Sequence, residues 1–193
     1  LRQSGKILAR VLERLKAQVK PGVTTAEIDN LAQGLMVQEN ALAAFKGFKG
    51  YPASVCISIN EEIVHGIPGP RVIAAGDIVS LDLGINYKGY FSDAAITVAV
   101  GEIDPRGKKL IDVTRKALFV GVAQAESGNR LFDISHAIQS FVERNGFSVV
   151  RQFVGHGIGI SLHEEPEIPN FGQPHKGPLL KNGMVLAIEP MVN

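Results

Sequence analysis

The sequence has few of the features that mark disulfide-rich, membrane-spanning or nucleic-acid-binding proteins. Its 193 residues include 1 cysteine and no tryptophan, and 20 basic side chains stand against 19 acidic ones. The lone Cys56 cannot form an internal disulfide, which is typical of reducing compartments. The longest apolar runs fall far short of the roughly 20 residues that span a bilayer. A net charge of +1 argues against a basic surface for nucleic acid.

These absences favour a protein of the cell interior. The chain opens at Leu1, inside a helix-like pattern, and shows no charged-then-apolar leader. We therefore expect a cytoplasmic protein, a monomer, with neither a membrane nor a nucleic acid as its partner.

Four helices are predicted, in two pairs. Apolar residues at helical spacing predict a helix over 3–19, which Pro21 ends, and Thr24 with Glu27 forms a capping box that begins a second helix. The pattern returns 106 positions later, where Glu27 aligns with Asp133. The second copy predicts helices over 106–125 and 131–145.

Strand-like runs follow each helix pair. They are Ser54–Ile59, Ile78–Leu83 and Tyr90–Val100 in the first half, and Ser148–Val154 and Met184–Val192 in the second. The sequence thus predicts an α/β (α+β) fold, a pseudo-two-fold sandwich of curved antiparallel strands with two helix pairs outside. We expect a single domain, 1–193, built from pseudo-repeats over about 1–100 and 106–193.

Two aspartates flank a predicted hairpin turn. Asp82 and Asp93 are equally far from the turn Asn86–Gly89, so the pattern predicts that they face each other directly. Two carboxylates so placed repel unless they share a proton or bind a cation. The alternatives are an acidic hairpin that faces solvent, or a slipped register. The apolar flanks of both strands favour the cation.

Histidines and a glutamate supply further candidate ligands. His156 is bracketed by Gly155 and Gly157, and His163 follows seven residues later. Each histidine alone is more typical of a hydrogen-bonded core group, but glycine brackets allow backbone or ligand to approach closely. Glu189 ends an apolar strand; alone it is a strand-end charge, but at offset 107 it aligns with Asp82. Carboxylates with one imidazole suit Mn²⁺, Co²⁺, Fe²⁺ or Zn²⁺, among which the sequence does not choose.

Four motifs, in order along the chain, carry a family resemblance. They read NEEIVHGIP, DLG followed by FSDAA, GHGIG followed by LHEEP, and IEPMVN. Over essentially the whole chain the sequence resembles the type I methionine aminopeptidases, which are metallopeptidases of the pita-bread fold. The resemblance implies removal of the initiator methionine from nascent proteins and peptides, with preference for a small second residue.

The resemblance also implies residue roles. Asp82, Asp93, His156 and Glu189 would bind two divalent metal ions, and Glu189 would also carry a proton to the leaving amine. His163 would donate to the scissile carbonyl oxygen, and His65, which alone is an ordinary loop histidine, would contact the scissile amide nitrogen. Together with these two histidines, a methionine pocket would be formed by Phe45, Phe48, Tyr51, Cys56 and Leu162, for which ordinary core packing is the alternative.

Family members continue past the PMVN motif into a strand that supplies a fifth, bridging glutamate ligand. That C-terminal strand is missing from this sequence, so we expect another segment or polypeptide to supply the ligand, or a weak or inactive enzyme. The alternative functions are a non-catalytic binding protein of the same fold and a proline-directed aminopeptidase. The nascent chain as substrate is compatible with transient ribosome contact.

Overall fold

The chain forms two compact units in a computed structural model that describes residues 1–193. Unit 1 comprises Leu1–Asp104 and Gly159–Leu162, and unit 2 comprises Pro105–Ile158 and His163–Asn193. None of the helices in either unit is long and apolar enough to cross a membrane.

Unit 1 begins with the predicted helix pair, α1 (Arg2–Lys16) and α2 (Thr25–Gln38). The capping box is confirmed, because the Thr24 hydroxyl accepts the Glu27 backbone N–H at 3.2 Å. In return, the Glu27 carboxylate accepts the Thr24 backbone N–H at 2.7 Å. These bonds satisfy two backbone donors that the first turn of a helix leaves unpaired.

The sheet of unit 1 is antiparallel and is built around one long strand. Its members are β1 (Leu42–Ala43), β2 (Val55–Ile59), β3 (Ile78–Tyr87) and β4 (Tyr90–Ala99). β3 pairs with β4 along one edge, and β1 and β2 share the other edge. A short 3₁₀ turn, Phe48–Gly50, lies between β1 and β2 in the chain.

The two faces of β3 differ in polarity. Four alternate residues are completely buried in the core formed with α1 and α2: Val79, Leu81, Leu83 and Ile85. Because side chains alternate across a strand, the residues between them point to the opposite face. That second face carries Asp82, and we call it the aspartate face.

Unit 2 repeats the helix pair but has a shorter sheet. Its helices are α3 (Pro105–Val122) and α4 (Leu131–Arg144), and its strands are β5 (Val154–Gly157), β6 (Glu164–Pro169) and β7 (Leu186–Ala187). All pairings are antiparallel, in the order β6-β5-β7. At the start of α4 the Asp133 carboxylate accepts the Arg130 backbone N–H at 2.8 Å, as Glu27 does for Thr24 in unit 1.

The strands predicted over 148–154 and 184–192 are wrong in extent. Those segments meet at a single bridge, Val149 with Val192, and only Leu186–Ala187 of the second segment forms a strand. Pro190 has no N–H to donate to a ladder, which limits strand pairing there. The unpredicted β6 contains Pro166 and Pro169, which an edge strand tolerates.

Backbone conformation also matches between repeat-related positions. Gly22 and Gly128 have φ values of 91° and 100°, and Gly76 and Gly183 have φ values of 95° and 93°. A positive φ is a conformation that glycine adopts without strain. These glycines, which the sequence pattern aligns, therefore share a left-handed backbone conformation in the two units.

Candidate metal centre

The two aspartates of unit 1 lie on paired strands, but they do not face each other directly. The register pairs Asp82 with Ala95, and Gly84 with Asp93. The prediction of direct opposition is wrong because the turn lies one residue later than predicted, with Lys88 and Gly89 as its two central residues and Tyr87 paired with Tyr90. Both turn residues have positive φ, 54° and 85°, as tight hairpin turns require.

Asp82 and Asp93 nevertheless lie on the same face of the sheet. Residues two apart on a strand point to the same side, so Asp82 points to the same side as Gly84. Gly84 pairs with Asp93, so Asp82 and Asp93 share that face. The two aspartates are therefore diagonal neighbours, with Cα atoms roughly 7–8 Å apart in standard sheet geometry. Both side chains are half-buried. The aspartate face thus carries two carboxylate residues on neighbouring strands.

Phe45 closes part of this face. A Cβ on Gly84 would lie 2.6 Å from the Phe45 ring, so only glycine at this position leaves room for the ring. The buried Phe45 side chain therefore packs beside the backbone that pairs with Asp93. The structure brings this predicted pocket residue to the aspartate face.

Cys56 lies on the same face, directly across from Asp82 in the register of β2 with β3. Burial, together with Asp82, Asp93 and Asp29, raises the pKa of the Cys56 thiol to about 12. A raised pKa keeps a thiol protonated until the pH approaches that value. At neutral pH Cys56 therefore adds a neutral sulfur, and no further negative charge, beside the aspartates.

The remaining pocket candidates differ in exposure. Leu162 is buried and belongs to unit 1, whose Phe91 backbone N–H donates to the Gly159 carbonyl at 2.8 Å. Tyr51 is half-buried, whereas Phe48 retains 36% of its accessible surface. His65 is exposed on the loop after β2. Phe45, Cys56 and Leu162 are therefore the buried members of the predicted pocket.

In unit 2, His156 and Glu189 lie together. His156 is on β5 and Glu189 follows β7, and 3.1 Å separates His156 Nε2 from Glu189 Oε1. His156 Nδ1 lies 2.8 Å from the Gly157 carbonyl oxygen, which can only accept, so Nδ1 carries a proton. In the neutral imidazole, Nε2 then turns a lone pair toward the carboxylate.

This pairing leaves two electron-rich atoms facing each other. Glu189 Oε1 is buried and makes no hydrogen bond. A nitrogen lone pair and a carboxylate oxygen at such a distance need a cation between them, either a proton or a metal ion. A histidine that donates its other ring N–H to a backbone carbonyl is the usual arrangement of a metal ligand. His156 and Glu189 therefore fit a metal ion.

Glycines bring the three strands of unit 2 close together around His156. A Cβ on Gly155 would lie 2.3 Å from the Ala187 carbonyl oxygen, and one on Gly157 would lie 2.3 Å from the Glu165 carbonyl oxygen. Real Cβ atoms do not approach backbone so closely. The glycine bracket seen in the sequence therefore sets the spacing between β5 and its two neighbours.

Two further side chains of unit 2 lie close to His156 and Glu189. Asn170, buried after β6, donates from Nδ2 to the Glu189 carbonyl oxygen at 2.7 Å and so fixes the Glu189 backbone. Sequence reasoning missed Asn170, for which the only local signal was an asparagine after a proline. His163 is exposed, and its ring meets that of His156 edge to face, with centroids 4.2 Å apart.

The chain has too few cysteines for a metal site built from several thiolates. The candidate ligands are three carboxylates, from Asp82, Asp93 and Glu189, and one imidazole, from His156. Cys56 is the only cysteine of the chain. Oxygen donors with an imidazole suit hard or borderline divalent ions.

Comparison with known proteins identifies the class. Metallopeptidase family M24 matches residues 1–193, and the chain belongs to this family. It is accordingly a metal-dependent hydrolase with the pita-bread fold, as predicted.

Within this metallopeptidase family, the chain is similar to methionine aminopeptidases. Methionine aminopeptidase 1 of Bacillus subtilis is 52% identical over 193 residues, which are 100% of this chain and 78% of the relative. Methionine aminopeptidase of Clostridium acetobutylicum is 55% identical over 194 residues, with the same coverage of 100% and 78%. The crystal structure of methionine aminopeptidase from Thermotoga maritima superposes with a TM-score of 0.98 at 46% identity, covering 100% of this chain and 78% of that one.

Proposed function

We propose that the chain is an aminopeptidase that removes N-terminal methionine from nascent proteins and peptides, using divalent metal ions. The observation that carries this proposal is the pair of His156 and Glu189, whose facing acceptor atoms, 3.1 Å apart, need a cation. The substrate class follows from the relatives, which are methionine aminopeptidases at 52% and 55% identity.

The proposed ligands are Asp82, Asp93, His156 and Glu189, and the proposed cofactor is two divalent ions from among Mn²⁺, Co²⁺, Fe²⁺ and Zn²⁺. The shared face of Asp82 and Asp93 and the tautomer of His156 support this assignment. Bound ions of this kind polarise a carbonyl and lower the pKa of water to near 7.

The protein's own side chains would supply the proton steps. A ring N–H of His163 would donate to the scissile carbonyl oxygen as negative charge develops there. The Glu189 carboxylate would hold a proton and pass it to the leaving amine. His65 would contact the scissile amide nitrogen. The ring contact of His163 with His156 supports its placement near the ligands.

The methionine side chain would be bound by the largely apolar set Phe45, Phe48, Tyr51, Cys56 and Leu162. The packing of Phe45 and Cys56 on the aspartate face supports this pocket. A flexible thioether suits aromatic and thiol neighbours, and the protonated Cys56 avoids placing a charge beside it. We further propose a preference for a small second residue, a cytoplasmic monomer, and transient contact with the ribosome.

Release of methionine from defined peptides tests the proposal. With Mn²⁺ added, the chain should release methionine from Met-Ala-Ser, release no leucine from Leu-Ala-Ser, and lose activity when the metal is chelated. An Ala-Pro-Ser peptide should remain intact, which separates the reaction from proline-directed cleavage. Absence of methionine release, or release that a chelator does not affect, would contradict the proposal.

A further inference from the structure

The Tyr51 hydroxyl makes polar contacts that a methionine pocket does not need. It donates to the Gly66 carbonyl oxygen at 2.8 Å and lies 3.3 Å from the Val55 carbonyl oxygen. Gly66 directly follows His65. The side chain that was predicted to contact methionine therefore also holds the backbone beside a proposed catalytic histidine.

Gly66 is held against β2 from several directions. Its backbone N–H donates to Ser58 Oγ at 3.1 Å, and its carbonyl oxygen accepts the Ile57 N–H at 2.9 Å in addition to the Tyr51 hydroxyl. A Cβ at this position would lie 2.2 Å from the Ile57 carbonyl oxygen, so only glycine fits. The free edge of β2 thus fixes the peptide units on either side of Gly66.

His65 depends on that anchor because of its own conformation. Its φ is 61°, in the left-handed region that residues other than glycine rarely adopt. Such conformations persist where the surrounding structure holds them in place. The anchored backbone of Gly66 therefore helps to hold the backbone from which the His65 side chain extends.

The same hydroxyl connects this anchor to the aspartate face. The Tyr51 hydroxyl also lies 3.3 Å from the carbonyl oxygen of Val55, and the next residue, Cys56, lies directly across from Asp82. Burial raises the pKa of Tyr51 well above its usual value, so the phenol keeps its proton and remains a donor. The Tyr51 hydroxyl therefore contacts both Gly66 and the strand that places Cys56 across from Asp82.

We propose that Tyr51 is a positioning residue, whose hydroxyl acts through Gly66 to orient His65 relative to the aspartate face. This inference rests on the proposed function for the role of His65 and assigns to Tyr51 a part in turnover as well as in binding methionine. It predicts that removal of the hydroxyl affects the rate constant more than the affinity for substrate.

Tyr51→Phe keeps the ring and removes the hydroxyl. We expect kcat for Met-Ala-Ser to fall about tenfold while KM stays within about twofold. Tyr90→Phe is the matched control, because it removes a hydroxyl from an exposed tyrosine at the hairpin end and should leave both constants unchanged. A rise in KM with kcat unchanged would show that Tyr51 only binds the methionine side chain and does not position His65.

A double-mutant cycle separates positioning from general packing. If Tyr51 acts through His65, Tyr51→Phe should cause no further loss of kcat in a His65→Ala background. An equal loss in both backgrounds would overturn the proposal.

Amide hydrogen exchange tests the anchor without reference to activity. In the metal-free protein, Tyr51→Phe should speed exchange of the Ile57 amide, which donates to Gly66, by about tenfold. The Ala44 amide, which donates to Gly84, should exchange as in the wild type. Unchanged exchange at Ile57 would overturn the inference even in an active enzyme. If Tyr51→Phe speeds exchange of the Ile57 amide but the wild-type chain releases no methionine, the contact of Tyr51 with Gly66 is supported and the proposed function is rejected.

Discussion

The two units carry their candidate ligands on very different pieces of sheet. In unit 1, Asp82 and Asp93 belong to strands of 10 residues each that pair along their whole length. In unit 2, His156 lies on a strand of 4 residues and Glu189 follows a strand of 2 residues. The same helix pair thus precedes a regular hairpin in one unit and a short, irregular sheet in the other.

The difference shows two ways of placing a ligand. A long ladder holds its side chains by many backbone hydrogen bonds, so the loss of one side chain should leave the strand in place. In unit 2 the ligands depend on the close approach of Gly155 to Ala187 and on one hydrogen bond from Asn170. We therefore expect unit 1 to tolerate substitution at its ligands structurally, and unit 2 to respond to small changes nearby.

The largest effect is expected from Asp93→Ala. Metal uptake and methionine release should both be lost, because a carboxylate ligand is removed, while the melting temperature of the metal-free protein changes little. Bound Mn²⁺ after dialysis and calorimetry measure the two quantities. Thr97→Ala is the control, since Thr97 lies on the same strand and the same face. A variant that keeps its full metal content would exclude Asp93 as a ligand.

His163→Ala should lower kcat by roughly 10²–10³ with metal content unchanged, because a donor to the developing oxyanion is lost. Peptide kinetics together with metal analysis test this. His136→Ala, which removes an exposed histidine from α4, should turn over as the wild type does. A kcat of His163→Ala equal to that of the wild type would show that His163 does not take part in the reaction.

Gly155→Ala should destabilise unit 2 by about 3 kcal/mol, because the added Cβ would meet the Ala187 carbonyl oxygen. Gly34→Ala is the matched control in α2, where nothing lies within 4 Å of the added Cβ. A helix gains about 1 kcal/mol from this exchange. The free energy of unfolding, measured by urea denaturation, should therefore fall in Gly155→Ala and rise in Gly34→Ala. An unchanged free energy of unfolding in Gly155→Ala would contradict the close spacing of β5 and β7.

The smallest effect is expected at the start of α2. Thr24→Ala removes the hydroxyl that accepts the Glu27 backbone N–H and should lower the free energy of unfolding by about 1 kcal/mol. Thr114→Ala, within α3, removes a hydroxyl that only donates to the Leu110 carbonyl of its own helix. That change should stay within about 0.5 kcal/mol, and equal losses at both positions would argue against a specific role for the cap.

Local patterns made the helices and the long hairpin predictable. The capping residues Thr24 and Glu27 and the apolar spacing of α1 are properties of neighbouring residues, and they were recognised within a few positions. The hairpin register was misjudged because the left-handed conformation of Lys88 is not visible in its residue type. The turn is centred one residue later than predicted, which places Asp93 opposite Gly84 instead of Asp82.

The parts of unit 2 that depend on distant contacts could not be foreseen. β6 was missed because Pro166 and Pro169 argue against a strand until its place at the sheet edge is known. Asn170 fixes Glu189 through a hydrogen bond between residues far apart in the chain, for which no periodicity exists. By contrast, His156 could be singled out, because its glycine bracket is a local sign of close backbone approach.

The most direct test of the account is the state of the His156 ring during metal binding. Nitrogen NMR of the histidine side chains, recorded as stoichiometric Zn²⁺ is added, should show His156 Nδ1 still protonated and the Nε2 signal shifted by coordination. The exposed His136 serves as the internal reference and should not change. A His156 Nε2 signal that stays in place at stoichiometric metal would contradict the claim that His156 and Glu189 hold a metal ion.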